Sequence, residues 1–210
     1  MEYVTLNNGV KMPQLGYGVY QVDPKECERC VLDAISSGYR LIDTAQAYHN
    51  EEGVGNAVKK CGVPREDLFI VTKIWICNAG EEKAYESILE SLRKLQMDYM
   101  KKDVCQIMSW GPFAEGKNDF FTNPTLKSVG EAHGKSVAQV ALRYLLQRGV
   151  VVIPKSTHRE RMEQNIDVFD FTLNDAEMQR IADLDMKHSL FFSHYEPAMV
   201  EQFMVWEHNV

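Results

Sequence analysis

No stretch of about 18 apolar residues occurs anywhere in this sequence, and no charged segment followed by an apolar run opens it. The first absence argues against a membrane-spanning helix and the second against a secretory leader, so a cytoplasmic protein with no membrane partner is expected. Paired cysteines are scarce as well. The chain has five Cys, an odd number, mostly inside or beside regular elements, which points to reduced thiols. Cys27 and Cys30 form a C-x-x-C, but no second Cys or His pair stands near to complete a zinc site. No G-x-G-x-x-G follows a strand, so a Rossmann dinucleotide site is not indicated. Excess positive charge is also lacking. Lys and Arg number 23 against 30 Asp and Glu, and the net charge of −7 argues against a nucleic-acid surface. An acidic chain can still hold an anionic cofactor through a few local cations.

What is present suits one globular domain over residues 1–210, at 45% hydrophobic and 25% charged. "YVTLNNGVKMPQL" alternates around Asn7-Asn8-Gly9 and predicts a short hairpin. "LGYGVYQV", "YRLIDTAQAY", "DLFIVTKIW", "VCQIMSW" and "VVVIPKS" predict five strands, the first and third of them buried. Asp23-Pro24-Lys25-Glu26 opens a helix running through about Ser36, and Asn50 is expected to cap another over Glu51–Lys60, closed by Gly62. A third helix places Tyr85, Ile88, Leu89, Leu92 and Leu95 on one face. "NPTLKSVGEAHGKSVAQVALRYLLQRG" is helical in two pieces broken at His133-Gly134, "HRERMEQNIDVF" is helical, and Asn174 with Glu177 starts another helix. The tail from Lys187 shows no period. Strand and helix alternate at roughly 26–30 residues, the signature of βα units on a parallel sheet. The fold class is therefore α/β. Five strands do not close a (β/α)8 barrel, which takes about 250 residues.

In such folds the active site lies at the carboxyl ends of the strands. There the second strand ends in Asp43 and leads to Tyr48, and the third runs into Lys73. A lysine finishing a buried strand is costly unless paired, and Asp43 is the expected partner. An ammonium beside Tyr48 would lower its pKa from about 10 and let it donate a proton to a carbonyl oxygen while hydride arrives at carbon. An Asp–Lys pair that merely holds two strand ends, with Tyr48 as rim packing, accounts for the same spacing. A Schiff-base lysine is a third reading, which a nearby Asp43 opposes. In "IPKSTHRERMEQN", Lys155, Ser156 and Arg161 make a compact anion site beside a helix start, suited to a 2′-phosphate, and Gln164 and Asn165 could hydrogen-bond a base. A solvated helix carrying ordinary surface cations is the alternative.

Together "GYRLIDTAQAYHNEEGVG", "FIVTKIW", "MSWGPF" and "VVVIPKSTHRERMEQN" resemble the aldo-keto reductases, in the bacterial diketogluconate or glyoxal reductase, or prostaglandin F synthase-like, branch. The resemblance implies a (β/α)8 TIM barrel that reduces small-molecule aldehydes and ketones with NADPH. It implies that Asp43, Tyr48 and Lys73 are catalytic, with Tyr48 the proton donor. On the cofactor side it implies Gly18, Val19 and Ser109, a Trp110 that stacks on the nicotinamide, and a pyrophosphate loop of Gly111, Pro112, Phe113 and Gly116. It further implies a 2′-phosphate clamp of Lys155, Ser156, Thr157 and Arg161, and adenine contacts from Gln164 and Asn165. Tyr20, Trp75, Phe191 and Phe192 would line the substrate pocket.

The family's catalytic histidine, its Ser-Asn pair and its carboxamide-holding Gln have no counterpart in this sequence. About three βα units, on the order of 70 residues, are expected to be absent after Met100, with a seam near 98–104. The expected architecture is an incomplete barrel of about five parallel strands plus the hairpin. Two further readings follow from the seam. One is a catalytically impaired NADP binder; the other is a deletion variant whose open sheet edges pair with a second copy, as a homodimer or domain swap.

Overall fold

The computed structural model describes residues 1–75, 78, 81–98, 108–109, 111–187 and 197–204. The chain opens with the expected hairpin. β1 (Tyr3–Thr5) and β2 (Lys11–Pro13) pair antiparallel with Val4 opposite Met12, and Leu6 donates its N–H to the Val10 carbonyl across the turn. β3 (Tyr17–Gly18), β4 (Leu41–Asp43) and β5 (Phe69–Val71) then lie parallel, with Gly18 beside Asp43 and Asp43 beside Val71. β6 (Met108–Ser109) and β7 (Val151–Val152) form a second parallel pair.

One lateral junction makes these groups a single sheet. Leu15 bridges Val152, Gly16 donates its N–H to the Val152 carbonyl, and Val152 donates to that of Gln14. From edge to edge the order is β5-β4-β3-β7-β6, five parallel strands in an arc. Among the described residues β5 and β6 each pair on one side only, so the barrel is open. Burial follows position: all three residues of β4 and both of β7 are buried, whereas those of β5 and β6 are half-buried.

α1 (Pro24–Ser36), α2 (Glu51–Lys60) and α3 (Glu81–Leu95) belong to the first three βα units. α4 (Pro124–His133), α5 (Val137–Gln147), α6 (Arg159–Ile166), α7 (Asp175–Ala182) and α8 (Pro197–Met204) follow β6 and β7. Their starts are written in the sequence. The Asp23 carboxylate accepts the Lys25 N–H with Pro24 at the first helical position, and Ser136 with Gln139 and Asn174 with Glu177 form reciprocal capping boxes. Each such cap is worth about 1 kcal/mol. Gly134, in the left-handed region, breaks α4 from α5 as expected.

Two cores flank the sheet, because alternate residues of each strand face opposite sides. Leu15, Tyr17, Val19, Ile42 and Val152 pack outward against the buried face of α1, including Cys27, Cys30 and Val31. Burial pushes the Cys27 thiol up to about 12, so it is an unreactive core group. On the concave side Leu41, Val151 and Ile153 meet Leu6 and Met12 of the hairpin, which plugs the floor of the arc.

Three expectations change. Asn50 stands at the N-cap position of α2 but makes no capping bond, because its amide is engaged in tertiary contacts described below. The apolar face of α3 is only partly covered: Leu95 is buried, while Tyr85 and Leu89 are 65% and 48% exposed. α3 packs on α2 along one flank, and with β5 at the sheet edge the Tyr85–Leu89 flank has no neighbouring unit among the described residues. The tail expected to be irregular contains α8. Residues 99–104 of the expected seam lie outside the described residues. Among the described residues no helix is long and apolar enough to cross a membrane.

Gly55 lets α2 and α3 approach closely. A Cβ there would sit 2.6 Å from the Lys94 carbonyl oxygen and 2.7 Å from the Leu95 backbone. Gly55→Ala gains helix propensity of up to about 1 kcal/mol, but the clash is with backbone that cannot rotate away. A net loss of roughly 1–3 kcal/mol is expected, read as a lower urea midpoint; an unchanged or higher midpoint would show that α3 yields.

Candidate active site

The carboxyl ends of β3, β4, β5 and β7 form one rim, and the first cluster sits where β4 and β5 run out. Lys73, two residues past Val71, falls on the same face as Asp43. Its Nζ donates to both Asp43 carboxylate oxygens at 2.8 and 2.7 Å and to the Thr44 carbonyl at 2.9 Å. All three ammonium protons are thereby used. Asp43 is 2% exposed. Burial holds its carboxyl above the ordinary value, and Lys73 pulls it partly back.

Tyr48 arrives by a different route. After β4 the chain enters a 3-10 turn, Gln46–Tyr48, which His49 closes in the left-handed conformation. The Tyr48 ring packs on Tyr20, with centroids 5.0 Å apart, and the Lys73 ammonium lies 5.1 Å from its centroid. The structure thus brings Asp43, Tyr48, Lys73 and Tyr20 together. It corrects one expectation. The Tyr48 pKa is raised, first by burial and then by the Asp43 and Tyr20 charges. Lys73 stands over the ring face with its protons committed to Asp43 and Thr44, and burial with the two neighbouring negative charges outweighs it. His49, next in sequence, is exposed.

Polar residues that no motif singles out hold this corner. The Asn50 amide donates to the Val19 and Val22 carbonyls at 2.9 and 3.2 Å, and its oxygen accepts the Thr44 hydroxyl at 2.9 Å. It ties the end of β3 to the end of β4. Thr72 donates to the buried Glu51 carboxylate at 2.8 Å. Trp75 is half-buried, and its N–H bonds Gln46.

The second cluster follows β7. Gly18 and Val19 are buried at the end of β3, beside it. Lys155 is exposed, Ser156 buried and Thr157 half-buried. The Ser156 hydroxyl accepts the His158 N–H at 3.0 Å, a local turn that leads into α6. No side chain caps the α6 N-terminus. Lys155 and Arg161 make no ion pair among the described residues, in contrast to the neighbouring Arg159, which binds Glu163 at 2.9 Å. Gln164 is exposed and Asn165 buried at the far end of the same helix.

Beyond the second cluster, at the β6 edge, runs the loop after β6. Gly111, Ala114, Glu115, Gly116, Asn118 and Asp119 all have positive φ. Four of these are not glycine, and each such residue costs on the order of 1–3 kcal/mol unless its surroundings impose it. Phe113, Phe120 and Phe121 pack together beneath the loop, with centroids 5.2 to 6.1 Å apart. Ser109, Pro112 and Phe113 are half-buried along this path. Trp110, Phe191 and Phe192 lie outside the described residues.

With this geometry in view, known proteins can be compared. The sequence model described as the Aldo/keto reductase family matches residues 8–115 and 114–186. Morphine 6-dehydrogenase from Pseudomonas putida is 33% identical over 268 aligned positions, covering 87% of this chain and 90% of that protein. Glyoxal reductase from Bacillus subtilis is 33% identical over 252 positions, covering 85% and 91%. The crystal structure of a Bombyx mori aldo-keto reductase in complex with NADP superposes with a TM-score of 0.81 at 25% identity, covering 91% of this chain and 95% of that one. Both sequence alignments run over more positions than the 210 residues present. The relatives therefore carry segments that this chain lacks, as the missing βα units require.

The Asp43–Lys73 pair is asymmetric, since Asp43 is enclosed and the Lys73 side chain is 42% exposed. Lys73→Met strands a buried carboxylate and should cost on the order of 3 kcal/mol at neutral pH. Asp43→Asn should cost much less, because Lys73 can turn to water. The Lys73→Met penalty should shrink on acidification. Without Lys73 to pull it back, the buried Asp43 carboxyl rises further above its unfolded value, so the variant's folded state takes up a proton first; the penalty is full above the variant's folded pKa and shrinks as pH falls through it. Urea unfolding across pH checks this, and equal losses for the two variants would contradict it.

Proposed function

The chain belongs to the aldo-keto reductase family, and we propose that it acts as one domain, residues 1–210, that binds NADPH and reduces small aldehydes or ketones to alcohols. One observation carries the cofactor half. Lys155 and Arg161 stand without ion-pair partners among the described residues, beside an uncapped helix N-terminus, on the same rim as Asp43, Tyr48 and Lys73. Elsewhere the cations of this acidic chain are widely paired, for instance Arg29, Lys60, Lys135 and Arg143.

The donor set fits a 2′-phosphorylated dinucleotide. Lys155 and Arg161 would hold the 2′-phosphate with the α6 N–H groups and Thr157, and Ser156 shapes the turn that presents them. Gln164 and Asn165 would face the adenine. The turns at Gly111 and at Ala114–Gly116, all at positive φ, would fold this loop over a pyrophosphate. Gly18, Val19, Ser109, Pro112, Phe113 and Trp110 would complete the bed for the nicotinamide half. Bound, the cofactor supplies the hydride that adds to the carbonyl carbon.

Tyr48 gives its Oη proton to the carbonyl oxygen. Its raised pKa keeps that proton in place beforehand. The alkoxide left by hydride addition is a stronger base than a phenolate, so the transfer still runs from Tyr48 to substrate. The Lys73 ammonium, 5.1 Å from the ring centroid, then balances the phenolate, and Asp43 keeps Lys73 charged and aimed. Tyr20 and Trp75, with Phe191 and Phe192, would bound the substrate.

A second reading, cofactor binding with impaired turnover, is favoured by one observation. The three Lys73 protons are held by Asp43 and Thr44, and His49, which adjoins Tyr48 in sequence, is exposed.

Tryptophan-fluorescence titration with NADPH, alongside NADPH oxidation with methylglyoxal, separates the two. Reduction at a measurable rate, abolished by Tyr48→Phe with NADPH affinity kept, is the expected result. Binding without oxidation selects the second reading, and absence of NADPH binding overturns both. Arg161→Ala should weaken NADPH about tenfold or more while leaving NADH unchanged, as loss of a charge-assisted phosphate contact predicts.

A further inference from the structure

We propose that Gln46 is a positioning residue that keeps the Tyr48 turn and the Lys73–Trp75 segment in register; the catalytic part of this inference rests on the reductase reading above. The pairing of β4 with β5 continues beyond both strands. Thr44 donates its N–H to the Val71 carbonyl at 2.8 Å, and Gln46 donates to that of Lys73 at 3.2 Å. In a parallel ladder the next bond would run from the Trp75 N–H to the Gln46 backbone carbonyl.

That carbonyl is already engaged. The main chain leaves the sheet at Gln46 to form the 3-10 turn carrying Tyr48, and the Gln46 carbonyl accepts the His49 N–H at 3.3 Å. Trp75 donates instead to Gln46 Oε1, at 3.0 Å. The side-chain amide takes the place of its own backbone carbonyl. The ladder gains one more rung while the main chain turns away with Tyr48.

The remaining amide contacts anchor the same point. Oε1 also accepts from Asn78 Nδ2 at 3.3 Å, and Nε2 donates to the Ser87 carbonyl and the Ser91 hydroxyl, both at 3.0 Å. Gln46 thus joins the turn, the segment after β5 and α3. β5 pairs on its other side with nothing among the described residues, so this segment is held laterally from the Gln46 side. Lys73 carries the first of the two Gln46 rungs. Loosening them frees Lys73 to shift from Asp43 and Trp75 from the rim.

Gln46→Leu removes the amide at similar size. Gln46→Glu keeps the acceptor for Trp75 and loses the donors toward α3. The first readout is acrylamide quenching of Trp75 in a Trp110→Phe, Trp206→Phe background without cofactor, which does not depend on turnover. Gln46→Leu should raise the quenching constant about twofold or more, and Gln46→Glu should stay near the parent. The second readout, with native tryptophans, is methylglyoxal reduction. Gln46→Leu should lower kcat by about tenfold or more with NADPH affinity retained, and Gln46→Glu should recover most of it. A lower Tm for Gln46→Leu with Trp75 quenching and kcat unchanged would reduce Gln46 to a structural tether and overturn the proposal. So would a Gln46→Glu chain whose Trp75 is loosened by twofold or more, a measurement that stands even if the Leu variant does not fold. If the unaltered chain reduces nothing, the reductase reading fails, while the quenching comparison still decides the role of Gln46.

Discussion

The enclosed Asp43 carboxylate is the constraint around which this rim is organised. A buried carboxylate without a cation would be protonated or would destabilise the sheet. Lys73 answers it with two short bonds and adds a third to Thr44. Because Asp43 ends a central strand and Lys73 continues the edge strand, one ion pair also fixes β5 against β4 where the ladder is about to end. Tyr48 is placed by the same corner, its ring under the ammonium and its turn held by bonds from the same few residues.

The open arc imposes the opposite demand at its margins. β4 and β7 are buried on both faces, as strands inside a barrel are, whereas β5 and β6 are half-buried and singly paired among the described residues. α3 shows the same asymmetry in side chains: Leu95 inside, Tyr85 and Leu89 outside. A helix whose apolar stripe is wider than its contact is what remains when a neighbouring βα unit is absent. The alignments with longer relatives point the same way. At the β5 edge the Gln46 amide extends the ladder from the β4 side, in place of its own carbonyl.

The two halves of the proposed site differ in electrostatic readiness. At α6 Lys155 and Arg161 make no ion pair among the described residues and the helix N-terminus has no side-chain cap, so an anion would meet donors that are already in place. At Tyr48 the nearby cation is bonded to Asp43 and the buried phenol holds its proton tightly. Binding asks for charge held open, and proton donation asks for a proton retained until the acceptor becomes basic. One acidic chain can provide both because the clusters sit on different strands of one rim.

Sequence alone determined the elements whose signals are local. The Asp23-Pro24 start, the Ser136 and Asn174 caps, the Gly134 break and the hairpin all form where their residues predict, since their partners lie within a few positions. The order of βα units and the Asp43–Lys73 pair were also legible, because strand alternation and the cost of a buried lysine are general. Tertiary structure decided the rest. Asn50 has a capping residue's chemistry, yet its amide bonds Val19, Val22 and Thr44, which only the folded sheet brings near. α8 formed where no period announced it. The Tyr48 pKa moved up because burial and the Asp43 and Tyr20 charges outweigh the proximity of Lys73, and burial is not visible along the chain. Gln46 carries no motif; its role exists only where the sheet edge and the Tyr48 turn meet, because a side chain can replace a backbone carbonyl only when the backbone has turned away.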